Sequence, residues 1–269
     1  MKRWRQTFIP GLLALWLLSG CATVPHTGRS QLILLSDAEV AQMGLTSYRR
    51  IMRQSPVVTG QPDSRRVRYV GRKVSEAAER FLRENGYADR LPYFKWEFSL
   101  IRGDETINAW CLPGGKIAFY TGILPYAGND NGIAVIMGHE IAHAIANHGN
   151  ERMSQLLLAQ LGGMALATAL EEEPETTQVL ALAAYGLGSQ IGILLPYSRT
   201  QEYEADRIGL ILTAMAGFNP REAVPLWRRM MAAGGESPPE FLSTHPATEA
   251  RIREIQDFLP EALRYRPTP

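Results

Sequence analysis

Cysteine is scarce in this chain: 269 residues carry only Cys21 and Cys111. Cys21 is expected to follow an N-terminal targeting signal and to carry lipid, which leaves Cys111 alone. A single thiol forms no internal disulfide, so the fold must rest on its core. Cys111 lies in an apolar stretch and is expected to be a small buried hydrophobe, not a nucleophile. Charge of one sign is also lacking. Lys and Arg number 28 against 27 Asp and Glu, a formal net of +1. No basic excess points to nucleic acid. Low-complexity tracts are absent. Long apolar runs are missing too: Leu156 to Leu170 falls short of the roughly 20 residues a membrane span needs. Val179 to Leu195 is rich in Gly and Ala and interrupted by Ser189 and Gln190. These two stretches, joined by Glu171-Glu172-Glu173-Pro174-Glu175, are expected to form a helical hairpin, buried or resting on the surface. A hairpin dipping into a membrane is the alternative.

Histidine is sparse as well, with five in the chain, yet two of them fall in one apolar segment, Val135-Ile136-Met137-Gly138-His139-Glu140-Ile141-Ala142-His143. Positions four apart share a helix face, so His139 and His143 can close on one metal ion. Glu140 adjoins the first histidine and can reach a water at that metal. Two neutral imidazoles with a carboxylate base are what a zinc peptidase uses. A catalytic zinc takes a third protein ligand. Ser198-Arg199-Thr200-Gln201-Glu202-Tyr203-Glu204-Ala205-Asp206 supplies candidates. Spacing alone permits Glu202 or Glu204. The i, i+4 pair Glu202 and Asp206 favours Glu202 as ligand, with Asp206 accepting the free ring N–H of a ligand histidine. Glu204 fits a solvated face. His148, five residues past His143, lies off the ligand face and is expected at the surface or a helix end.

The order of motifs resembles the M48 family of gluzincin metallopeptidases. The matching segments are Asn108 to Lys116, Gly138 to His143, Ser198-Arg199 with Glu202 to Asp206, and Thr244-His245-Pro246 with Arg251-Ile252. They span about Ser36 to Leu259. The resemblance implies an α+β, mainly α, zincin-like domain with a small sheet beside the active-site helix. It implies one zinc per chain on His139, His143 and Glu202, with Glu140 as catalytic base. It also implies that Asn108 and Ala109, on an edge strand, hold a peptide substrate as an added strand. His245 is expected to act at the zinc, as a latch in the open position or as a transition-state donor. Arg251 is expected to supply an oxyanion donor or to anchor the closing helix.

Residues 1–20 read as a lipoprotein signal. Lys2, Arg3 and Arg5 precede the apolar Gly11 to Leu18, and Leu18-Ser19-Gly20-Cys21 resembles a lipobox. Cys21 would carry the lipid, residues 21–35 would be a tether, and 36–269 the peptidase domain. Ala22, with no Asp after the cysteine, suggests the outer membrane of a Gram-negative cell, facing the periplasm. Partners would be that membrane and misfolded or unassembled envelope polypeptides, with no nucleic acid. Two rivals differ in class: a chaperone or assembly factor using the same groove, and a metal-dependent hydrolase of other substrates.

Along the chain, Ser36-Asp37-Ala38-Glu39 predicts a capped helix to about Gln54. Asp63 is expected to cap a second, with Val67, Val70, Val74, Ala78 and Phe81 inward. Phe94 to Leu100, Ile107 to Cys111 and Lys116 to Tyr120 read as strands, the last two around a Pro113-Gly114-Gly115 turn. Helices are expected over 131–147, 198–215, 220–231 and 246–259, with a flexible loop from Gly234 to Pro239.

Overall fold

In the computed structural model the described residues are 21–189, 195–233 and 239–267. The expected signal, with Leu18-Ser19-Gly20, and residues 234–238 of the expected loop lie outside them. Strands β1 (Cys21–Thr23) and β2 (Ser30–Leu32) pair as an antiparallel hairpin. This corrects the expectation of a free tether at 21–35. Pro25 and Gly28 suit a linker by composition, but here they serve a turn, with His26 and Gly28 both at positive φ. Val24 is buried in the main core, alongside Phe81. Thr23 and Tyr87 share a hydroxyl–hydroxyl hydrogen bond of 2.8 Å.

Helix α1 (Asp37–Gln54) starts on the expected capping box, where Ser36 and Glu39 bond reciprocally. Helix α2 (Pro62–Glu84) begins two residues earlier than expected. Gln61 is its N-cap, Pro62 opens its first turn, and Asp63 lies in that turn without capping it. Proline suits that place because its missing N–H has no partner to lose. Val67, Val70, Val74, Ala78 and Phe81 all face the core. After a 3-10 turn (Ala88–Tyr93) come β3 (Glu97–Ile101), β4 (Ala109–Leu112) and β5 (Lys116–Tyr120). The sheet order is β3-β5-β4, with β3 parallel and β4 antiparallel to β5. Strand β4 is thus an edge. The β4–β5 turn needs two left-handed residues, and Gly114 and Gly115 supply them at φ +80 and +78.

The short α3 (Leu124–Ala127) leads into α4 (Asp130–Ile145), capped by Asn129. Helix α4 is largely apolar and buried nearly throughout, as a helix at the centre of a fold must be, with His139, Glu140 and His143 among its few polar side chains. Helices α5 (His148–Ala169) and α6 (Glu175–Ser189) form the expected hairpin. It is more exposed than expected: Leu161, Met164 and Leu180 are 59%, 66% and 71% exposed. Among the described residues no helix is long and apolar enough to cross a membrane. Helix α7 (Leu195–Met215) packs on α4. Helix α8 (Ala223–Ala232), the short α9 (Glu240–Thr244) and α10 (Glu249–Ala262) complete the fold.

Two glycines set the α4–α7 crossing. A Cβ on Gly138 would stand 2.6 Å from the Gly209 carbonyl oxygen, and one on Gly209 would stand 2.8 Å from the His139 backbone nitrogen. The backbones therefore touch directly beside the first histidine of α4.

Candidate active site

Helix α4 presents His139 and His143 to α7, which presents Glu202. Among the described residues, His139, His143, Glu202 and His245 form the group able to hold one metal ion, with ligand atoms all within 4.8 Å of one another. His139 Nε2 lies 3.1 Å from His143 Nε2 and 3.1 Å from His245 Nδ1. Glu202 reaches both histidines of the helix, at 3.4 Å and 3.3 Å. Three nitrogens and a carboxylate are a donor set that suits zinc. A second observation fits the same ion. Glu140 is buried, and its Oε1 has no hydrogen-bond partner; it faces His245 Nε2 at 3.5 Å. An orphaned carboxylate oxygen pointing at a metal cluster is where a reacting water would be held.

The charges follow from this crowding. Burial resists charge on His139, but Asp206 and Glu202 outweigh it and raise its pKa to about 9. Burial depresses His143 well below the ordinary histidine value. Burial would raise Glu202, yet His143 and His245 hold it well below the carboxylate range. Glu140 moves the other way: burial raises it, against the pull of His245 and His139. A raised carboxylate pKa suits a group that must both take and return a proton.

Asp206 takes the position expected of it, its Oδ1 3.1 Å from His139 Nδ1. An ionised carboxylate only accepts, so His139 donates from Nδ1 and turns its Nε2, where a metal ion would take the place of a proton, toward the cluster. Arg251 has two expected roles, oxyanion donor and anchor of the closing helix. Its guanidinium donates to both Asp206 oxygens, to the Pro246 carbonyl at 3.2 Å, and contacts Glu202 Oε2 at 3.0 Å. It is 3% exposed and stacks on Trp227 at 4.0 Å. Every nitrogen has a partner inside the protein, which suits the anchoring role. It anchors α10 and steadies two acidic side chains.

His148 and Glu204 also differ from expectation. Both are buried. His148 Nδ1 is 2.9 Å from His143 Nδ1, and its Nε2 is 3.2 Å from Glu204 Oε2. On a straight helix five residues rotate by about 140°. Here α4 ends first: Asn147 adopts the left-handed conformation, φ +61, and swings His148 back toward His143. Arg90 and Asp37 clamp the Asn147 side chain. Glu204 is held at a pKa of about 2, because His148, Arg29 and Thr27 outweigh its burial. The available signal was the Asn147-His148-Gly149 sequence itself, since Asn tolerates the left-handed region. Trp227, edge-on to His139 at 5.8 Å, carried no such signal.

A cleft of about 240 Å³ runs past this cluster, lined by Asn108, Ala109, Cys111, Glu140, His143 and His245 among others. Asn108 and Ala109 stand at the head of edge strand β4, both buried. Burial pushes the Cys111 thiol well above its ordinary pKa, which leaves it a poor nucleophile.

Residues 65–259 match the Peptidase family M48. Among similar proteins, the mitochondrial metalloendopeptidase OMA1 of Schizosaccharomyces pombe is 38% identical over 197 residues, covering 72% of this chain and 55% of its own length. That of Saccharomyces cerevisiae is 34% identical over 253 residues, covering 88% and 69%. The beta-barrel assembly-enhancing protease of Escherichia coli is 26% identical over 244 residues, covering 87% and 47%. The chain thus spans from about half to about two thirds of these relatives. Both OMA1 relatives are mitochondrial by name, as is the Homo sapiens one, 29% identical over 251 residues. These relatives overturn the expected placement on a Gram-negative outer membrane facing the periplasm. That placement rested on a few residues around Cys21, too short a stretch to fix a compartment. With 195 consecutive positions matched and two motif-bearing helices joined at one metal-binding cluster, this chain belongs to peptidase family M48.

Proposed function

We propose that the chain is a zinc-dependent endopeptidase in which His139, His143 and Glu202 hold the ion and Glu140 is the general base. The observation that carries the reading is the convergence of these ligands within 4.8 Å beside an unpartnered Glu140 oxygen. When bound, zinc supplies a Lewis acid that polarises the scissile carbonyl and acidifies water. The residues of the chain do the rest. Glu140 takes the proton of the attacking water and passes it to the leaving amine. Asn108 and Ala109, at an edge with one side unpaired, bind substrate backbone as an added strand. Backbone recognition is tolerant of side chains, which suits unfolded or unassembled polypeptides as substrates. His245, within the ligand cluster, is a latch that keeps the site quiet until substrate moves it.

Glu140→Gln tests the base. It should keep one zinc per chain and lose cleavage of a casein-like substrate by about 10²–10⁴-fold; near-normal cleavage would end the enzyme reading. His245→Ala should raise basal cleavage, and a lower kcat would instead make His245 a transition-state donor. The reading includes acylation of Cys21, which starts β1; an unmodified Cys21 in membrane extracts would remove it. The second reading, a holding chaperone, draws on the exposed apolar hairpin α5–α6. It predicts that Glu140→Gln retains full function in cells.

A further inference from the structure

The N-terminal hairpin lies outside the family match, which begins at residue 65. It nevertheless connects to the metal cluster through Glu204 and His148. Arg29 forms a two-point contact with Glu151, Nη1 to Oε1 at 2.7 Å and Nη2 to Oε2 at 2.8 Å. The same guanidinium engages Glu204, with Nε 3.0 Å from both oxygens and Nη2 at 2.9 Å. Thr27, from the same hairpin, donates to Glu204 Oε1 at 2.7 Å. Gln201 donates to Glu151 at 2.7 Å. Glu151 and Glu204 are 0% and 5% exposed. Two buried carboxylates therefore face one guanidinium supplied from about 120 residues or more away in sequence.

The chemistry propagates inward. A carboxylate paired to a guanidinium is ionised and only accepts. His148 must then donate from Nε2 to Glu204, which leaves a lone pair on its Nδ1. That lone pair faces His143 Nδ1 at 2.9 Å. His143 must donate there, and its remaining nitrogen, Nε2, points into the cluster 3.1 Å from His139 Nε2. Each contact selects the tautomer of the next ring. The left-handed Asn147, clamped by Arg90, holds His148 at the angle this requires.

We propose that Arg29 is a positioning residue for the ligand nitrogen of His143, acting through Glu204 and His148, so that the N-terminal hairpin completes the metal site. This rests on the assignment of His143 as a zinc ligand. An uncharged residue at 29 leaves two buried carboxylates without their cation. It also frees Glu204 to leave His148, after which the His143 ring has no partner to fix its orientation.

The test uses the full chain with zinc affinity read by chelator competition, the visible spectrum of the cobalt-substituted protein, and thermal unfolding in excess chelator. Arg29→Met should weaken zinc about 10- to 100-fold and shift the cobalt bands. Arg29→Lys should restore part of the affinity. His148→Phe, which leaves the hairpin's own contacts in place, should weaken zinc to a similar degree, and the double variant should be no worse than the weaker single one. If Arg29→Met lowers the unfolding temperature while zinc affinity and the cobalt spectrum stay unchanged, Arg29 only fastens the hairpin and the proposal fails. If Arg29→Met does not fold, His148→Phe decides alone: unchanged zinc affinity overturns the relay. A wild-type chain that takes up no zinc would bring down the metal assignment itself, a result distinct from either.

Discussion

His139 and His143 sit one turn apart on the same helix, yet they are supported in different ways. His139 is held by one carboxylate and one guanidinium, Asp206 from α7, which packs on α4, and Arg251 from α10, which packs on α7. His143 is held through an intervening ring, His148, before it reaches a carboxylate and guanidinium, Glu204 and Arg29. The direct support is buried and locked, with Arg251 also stacked on Trp227. The relayed one ends in a surface hairpin, where the Arg29 side chain is 20% exposed. One chemical requirement, an imidazole with its second nitrogen fixed, has thus been met twice with different numbers of links. A short support tolerates little change at any member. A long one spreads the requirement over more residues and ties the site to a distant part of the chain.

The largest effect should come from breaking the direct support. Asp206→Ala leaves the Arg251 guanidinium buried without its main partner and should cost about 3–5 kcal/mol of stability, read by chemical denaturation of the metal-free protein. Next comes Arg251→Lys. A lysine keeps the charge but loses the two-point contact and the stack on Trp227. Zinc affinity should fall about tenfold or more, further than for Arg29→Lys. If the two lysine variants behave alike, the contrast between the supports is wrong. Third, Glu204→Gln combined with Asp206→Asn should give nearly additive losses of zinc affinity, because the supports share no residue. Strong coupling would show that they communicate through the metal. The smallest effect belongs to Trp227→Leu, which removes the cation–π contact and should cost about 1–2 kcal/mol of stability, with zinc stoichiometry unchanged.

The direct support could be read from the sequence, while the relayed one could not. Asp206 stands four residues after Glu202, and helical periodicity puts both on one face. The capping box at Ser36 and the inward valines of α2 were legible for the same reason: each is local and periodic. His148 was not, because the rule that predicts it at the surface assumes the helix continues through Asn147. Glu204 reads as a solvated acid until the partner that buries it is known, and that partner, Arg29, lies in a segment whose composition resembles a linker. The sequence marks Arg251 but does not decide between substrate contact and anchoring; the disposition of its nitrogens suits anchoring. The compartment was misjudged because it rested on a few residues around Cys21 and on no other part of the chain.

The glycine contact between α4 and α7 has a consequence for which ions the site will accept. Where Gly138 meets Gly209, the backbones that carry the ligands already touch, with a Cβ on Gly138 coming to 2.6 Å from a carbonyl oxygen. Nothing there can compress further, and the packed core resists expansion. The span between ligand backbones is therefore a fixed gauge, and ions are sorted by how well they suit it. Cobalt, which shares zinc's size and liking for tetrahedral nitrogen and oxygen donors, should enter with only side-chain torsions adjusting. A large, oxygen-seeking ion such as calcium, which wants six or more ligands at longer distance, meets helices that have no room to spread.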